Sequence, residues 1–290
     1  MIKVWPGSAP AGRLAVALVL CALSSAAVAQ PAPSAVDSEA IRAVDRYLET
    51  WNSRNPMTWA GSLHFPHVRP GAGNFRLTRT PEEYARGVDF KRVLATGWHR
   101  SMWDSYDVVQ HGPAKAHVAG HYSRYTEDGE RIRTTFVTYV VTRQGDRWGV
   151  QSRFAAGSAD VGPDQAAASE SAALGAVESF FAALGNPTAP EAVAATLNYP
   201  HVRVADGTVV LWESAAQYLA GPEPGRLRTW AGTRLDWAEA VQVGGGGVNV
   251  AVRYSRLSPT GATLSSYEAL YLVTTRDGHI GVQARSSFAP

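Results

Sequence analysis

The 290-residue chain carries 27 Lys+Arg against 25 Asp+Glu and one cysteine. Lys3 and Arg13 fall in an N-terminal leader, so the chain beyond residue 29 balances 25 basic against 25 acidic residues. With no basic run it lacks the concentrated positive surface of a nucleic-acid binder, and with Cys21 itself in the leader it has no disulfide, thiol nucleophile or cysteine-based metal site.

In the leader, an apolar run from Leu14 to Leu23 follows the two charges, and Ala27-Val28-Ala29 supplies the small residues of a signal-peptidase site. The run is about half of the roughly 20 residues that span a bilayer as a helix. The expectation is a signal peptide over 1–29, no stable membrane anchor, and a periplasmic or secreted protein. Cys21 raises a lipoprotein as the alternative, but Leu20 stands where a lipobox takes Gly, Ala or Ser.

After the leader, Ile41, Val44, Tyr47, Leu48 and Trp51 recur at helical spacing and define one apolar face. A second short helix is expected around 56–63. Phe65-Pro66-His67-Val68-Arg69 follows, and then a third helix opened by a capping box of Thr80 and Glu83 with Pro81 at its first position. Strands are expected over 116–125 and 132–142, joined at Asp128-Gly129, and a last strand follows the turn at Gly145-Asp146. A segment rich in Ala, Gly, Ser and Asp, 155–170, reads as an exposed, partly flexible linker.

The pattern then repeats. Tyr199-Pro200-His201-Val202-Arg203 matches the first motif. Tyr122-Ser123-Arg124 returns as Tyr254-Ser255-Arg256, and Gly149-Val150-Gln151-Ser152-Arg153 as Gly281-Val282-Gln283-Ala284-Arg285. Tyr84, Trp98, Asp104 and Tyr139 match Tyr218, Trp230, Asp236 and Tyr271, all about 132 to 134 positions apart and in the same order. A periodic set of that kind is the mark of duplication. Two α+β domains are therefore expected, over 30–154 and 171–290. In each, helices and a short hairpin precede a meander of about four strands.

This order of elements and these motifs resemble the nuclear transport factor 2-like superfamily, which includes SnoaL-like cyclases and ketosteroid isomerase. The resemblance implies two tandem cone-shaped domains, each a curved antiparallel sheet wrapped around about three helices with a conical cavity inside. It also implies that the outer sheet surfaces are the place where domains pair, so that two copies in one chain would form an internal pseudo-dimer. It does not carry over a catalytic set, because the isomerase motifs have no residue-for-residue match here.

Alternation places His67 with Arg69, and His201 with Arg203, on one strand face. They suit the cationic rim of a pocket for an acidic group, since the Arg fork donates two parallel hydrogen bonds; the structural alternative is that Pro-His fixes a helix-to-strand turn and the Arg pairs with an acid nearby. Tyr122 and Arg124, with Tyr254 and Arg256, suit a pocket wall that turns polar at its mouth or a core face that ends in water. Gln151 shares a face with Arg153 by the same alternation. Tyr84, Trp98, Tyr218 and Trp230 complete the candidate ligand-binding set. Asp104 and Asp236, with His67 and His201, are the candidates for acid–base work, the competing reading being an Asp paired to an Arg such as Arg69 or Arg124. His117 and His121, four apart in a strand, lie about 13 Å from each other, too far for a metal. Gly244–Gly247 reads as a hairpin turn. No cofactor motif is present. The leading expectation is a pocket for a small, partly apolar, acidic ligand. The alternatives are a cofactor-independent isomerase, dehydratase or cyclase, and a protein-interaction module.

Overall fold

The computed structural model describes residues 34–71, 75–185, 189–205, 207–221 and 230–289. The signal peptide expected over 1–29 therefore lies outside the described residues. No helix among them is long and apolar enough to cross a membrane.

The first domain opens on α1 (Ala35–Asn52), whose start is held by Ser34 and Asp37 in a reciprocal capping box. Its face of Ala40, Val44, Tyr47, Leu48 and Trp51 is buried. The short α2 (Pro56–Ala60) is capped by Asn55 and leads into β1 (Leu63–Arg69), which pairs with β2 (Arg76–Thr78). Helix α3 (Pro81–Arg86) begins at Thr80, whose Oγ1 accepts from Glu83 N. The return bond of this box is displaced by one residue: Glu83 Oε2 accepts from Arg79 N rather than from the cap. A further helix, α4 (Phe90–Leu94), precedes the meander β3 (Arg100–Gly112), β4 (Lys115–Tyr125), β5 (Arg131–Gln144) and β6 (Arg147–Ser158).

The second domain repeats the plan with α5 (Pro163–Gly185), α6 (Pro190–Ala195), β7 (Leu197–Ala205), β8 (Thr208–Trp212), α7 (Ala215–Ala220), β9 (Gly232–Gly244), β10 (Gly247–Leu257), β11 (Thr263–Arg276) and β12 (His279–Ser287). The sheet orders are the same, β2-β1-β6-β5-β4-β3 and β8-β7-β12-β11-β10-β9. Two details differ from the sequence reading. Each sheet is mixed, because β1 runs parallel to β6 and β7 parallel to β12; the chain must cross from one end of the meander to the other to bring its first hairpin alongside. The Pro-His-Val-Arg motif also lies inside β1 and β7 rather than at a helix-to-strand turn, with a cis peptide before each proline and a break in register nearby. The stretch 155–170 is divided between the end of β6 and the start of α5, leaving 159–162 between them.

Each sheet has two buried faces. The concave face of the first packs on α1 through Val118, Tyr122, Val137, Tyr139 and Val150. The opposite face meets the second domain in a shared apolar layer that includes Val68, Val140, Phe154, Val202, Leu270 and Leu272. Polar twins cross this layer. Gln110 Nε2 donates to Val252 O and Ala269 O, and Gln242 Nε2 donates to Gly120 O, the matching carbonyl of the first domain. His117 donates from Nδ1 to Gln110 Oε1 at 2.7 Å, and its Nε2 shares a hydrogen bond with Ser286 Oγ at 2.8 Å. Burial, then Lys115, holds the pKa of this ring well below the ordinary value.

The glycine run explains itself here. The β9–β10 turn lies on the end of β6, with Gly245 N and Gly246 N donating to Ser158 O and Ala156 O. A Cβ on Gly244 would come 2.5 Å from Ala156 O. Reciprocally, the β3–β4 turn meets the end of β12, where Lys115 donates to Ser287 O and lies over the Phe288 ring.

Candidate functional site

Inside the first domain is a cavity of about 380 Å³. Tyr47 and Trp51 from α1, Trp59 from α2 and Tyr122 from β4 form aromatic walls. Arg69 from β1, Arg76 from β2, Arg92 from α4 and Arg124 from β4 bring positive charge to it. Its single lining carboxylate is the exposed Asp89, whose Oδ1 already accepts from Arg92 N as the cap of α4.

The arginines are held by rings and carbonyls. Arg69 lies over Trp59 and donates to Tyr84 Oη at 3.4 Å. Arg124 lies 5.2 Å above Trp51, with a buried Nε that finds no partner. Arg76 is tied to Gly87 O and Tyr84 O, each at 3.0 Å, and is therefore part of the frame. Arg153, only 7 % exposed, donates to Tyr122 Oη at 2.8 Å. Among the described residues, none of Arg69, Arg124 and Arg153 has a carboxylate in ion-pair range. A guanidinium buried without an anion is costly, and an acidic ligand is the natural counter-charge.

The tyrosines register this field. Burial raises the Tyr122 phenol, but Arg153, then Arg124, Arg133 and Arg69, outweigh it and bring the pKa down to about 7. Burial pushes Tyr139 and Tyr47 up. Arg124 is lowered by burial; Tyr122 counters this, while Arg133 and Arg153 add to it.

The predicted residues divide clearly. Arg69, Tyr122 and Arg124 reach the cavity; Tyr84 and Trp98 are sealed behind it at 0 % and 2 % exposure. His67 is also buried. Its Nδ1 donates to Val150 O, its Nε2 has no partner, and burial, with Arg69 adding to it, holds its pKa at about 3. The acid–base pair of Asp104 and His67 is not assembled. Asp104 is exposed at a bulge in β3, on the side of Ser123, opposite the face that carries Tyr122 and Arg124. It accepts from Ser123 Oγ at 2.6 Å, and Ser123 in turn touches Thr134. Nor does Asp104 pair with Arg69 or Arg124. Asp236 repeats the arrangement with Ser255 and Ser266, and pairs with Arg234 at 2.9 Å.

In the second domain His201 is likewise buried, donating to Val282 O and accepting from Arg285 Nε. Arg256 lies 4.0 Å over Trp230 and 4.7 Å over Tyr267, and the Tyr254 hydroxyl meets Ser287 Oγ. Tyr218 packs on Trp212, and Arg203 is half-buried. Gln151 does not share a face with Arg153. A bulge between Val150 and Ser152 turns Gln151 to the second domain, where it donates to Gly207 O, while Arg153 points into the cone opposite Tyr139. Among the described residues no group of three His, Cys, Asp or Glu side chains converges as a metal site.

Tyr47, Trp51, Trp59, Arg76 and Arg92 were not among the sequence candidates. Trp59 corresponds to Val193 by the spacing from Pro56 and Pro190, and Arg76 to Val210 by strand register. A search for residues shared by both copies passes over them.

Residues 38–157 match the family described as NTF2-like protein (DUF6841). The first domain is NTF2-like. The second has the same strand order as the first. Solved structures similar to parts of this chain include a cystatin-fold protein of unknown function from Nostoc punctiforme, at 18% identity over 41% of this chain and 90% of that one, TM-score 0.35. An NTF2-like protein from Novosphingobium aromaticivorans is 16% identical over 46% and 88%, TM-score 0.37. Aln2 from a Streptomyces species is 16% identical over 42% and 90%, TM-score 0.35. No curated protein matches the chain.

Proposed function

We propose that the first NTF2-like domain binds a small, partly apolar ligand through an acidic group, as an exported binding protein. The observation that carries this reading is Arg69 and Arg124 lining an aromatic cavity, with Arg153 behind them on the hydroxyl of its Tyr122 wall, and no carboxylate partner for any of the three among the described residues. The aromatic walls would take the apolar body and the guanidinium forks the acid. Export rests on the leader sequence, and fractionation with N-terminal sequencing of the mature chain tests it. Calorimetric titration with phenylacetate and related aromatic acids tests the binding. Saturable binding that Arg124→Gln weakens is expected; heats indistinguishable from dilution for every acid tried would remove the proposal.

Proton transfer without a cofactor is a second reading. With Asp104 and His67 outside the cavity, it now rests on Tyr122, whose lowered phenol lies at the cavity wall. Exchange of an acidic C–H proton of a bound ligand into deuterated water, lost in Tyr122→Phe, is its test.

A further inference from the structure

A second cavity, of about 510 Å³, adjoins the first and shares Arg69 and Arg76 with it. Arg133 and Arg153 complete its positive lining, with Thr135 and Ser158 as hydroxyl neighbours, and no Asp or Glu is among its lining residues. Taken together, the two spaces are bordered by Arg69, Arg76, Arg92, Arg124, Arg133 and Arg153, against the single carboxylate of Asp89. One acidic group cannot balance that set.

The strand register sharpens the point. Arg124 on β4 stands directly opposite Arg133 on β5. Like charges at directly opposed positions destabilise a sheet. The second domain shows that the fold does not require them. The partner of Arg256 is Ser265, and the partner of Arg203 on the neighbouring hairpin is Val210, where Arg69 faces Arg76. The first copy therefore carries two arginines, Arg76 and Arg133, for which the second has uncharged residues at the same register. Arg76 is spent on backbone carbonyls. Arg133 is exposed, and none of the hydrogen bonds or ion pairs of the described residues employs its side chain.

We propose that the ligand is a dianion, an aromatic or cyclic dicarboxylate, with one acid at Arg69 and Arg124 in the cone and the second at Arg133 and Arg153 in the adjoining cavity. This rests on the acidic-ligand reading above and goes beyond it in naming the second acid and its site. Arg133 is then a specificity residue that favours two-ended acids over one-ended ones. A carboxylate there would also relieve the opposition of Arg124 and Arg133.

The test compares phenylacetate with its para-carboxylated analogue by calorimetry at low salt, on the mature full chain and on Arg133→Ser, the residue of the second copy. Wild type is expected to bind the dicarboxylate about tenfold more tightly or better, the gain of one added charged contact. Arg133→Ser should remove that gain, so that the two compounds bind alike, and change phenylacetate binding much less than dicarboxylate binding. Because Arg133 is exposed and Ser occupies the matched position in the second sheet, the variant should fold. Phenylacetate binding without any advantage for the dicarboxylate, or an advantage that survives Arg133→Ser, overturns the second site and leaves the one-acid reading standing. If neither compound binds, both fall.

Discussion

Tyr122 provides the sharpest physical test of the cavity's charge. Its phenol is brought from the ordinary 10.0 to about 7, and the side chain is 7 % exposed, so solvent screening removes little of the effect. A depression of that size corresponds to roughly 4 kcal/mol, at about 1.4 kcal/mol for each pH unit. The sign follows from proton counting. Between pH 7 and 10 the unfolded chain keeps the Tyr122 proton and the folded chain does not, so stability from this group rises with pH across that window and is lost as pH falls through 7. Spectroscopic titration of the tyrosinate absorption, wild type minus Tyr122→Phe, should show one phenolate forming near neutrality. Denaturant unfolding should show wild type gaining on the variant between pH 7 and 9. Because the phenolate and an acidic ligand compete for the same guanidiniums, ligand affinity should also decline above pH 7. A difference titration with its midpoint at 10 or above, together with parallel stability curves, would refute the account of the arginine field.

Three other outcomes are expected. His67, His117 and His201 are buried neutral, their pKa values lowered by burial first and then by neighbouring cations. Each should cost stability below its unfolded value of about 6.5, up to about 1.4 kcal/mol per pH unit, until the folded pKa is reached; urea midpoints between pH 7 and 4.5 measure this. Leu272→Ala empties part of the layer between the two sheets, where Leu272 is fully buried, and should cost about 2–5 kcal/mol in equilibrium unfolding. Ser123→Ala removes the 2.6 Å bond to Asp104 and should cost about 1 kcal/mol while leaving ligand affinity unchanged; a loss of binding would return Asp104 to the site.

Periodicity made the helix faces and the meander strands legible. Tyr47, Leu48 and Trp51 fall where helical spacing puts them, and β4 and β5 lie within a residue or two of the expected strands. Alternation also put Tyr122 and Arg124 on one face, and the structure turns that face to the cavity. It failed where an extra residue enters a strand. The bulge at Gln151 turns its side chain to the face opposite Arg153, and a one-residue insertion has no compositional signature in this segment. The parallel pairing of β1 with β6 joins residues more than 80 positions apart, beyond any local pattern. Shared residues pointed mainly to the frame: Tyr84, Trp98 and His67 are interior. Much of the cavity's distinct chemistry comes from Trp59, Arg76 and Arg133, which the second copy lacks at matched positions.

The reciprocal seating of each hairpin turn on the last strand of the other copy bears on how the chain unfolds. Val68, Val140 and Phe154 are fully buried against Leu270, Leu272 and Ala284, and Gly245 and Gly246 satisfy the carbonyls that end β6. Loss of either copy would strip the survivor of an apolar face and of hydrogen-bond partners at once. The duplicated chain is therefore expected to melt as one cooperative unit. Cleavage at 159–162, the short connection between β6 and α5, should then leave two fragments that stay associated until that common transition.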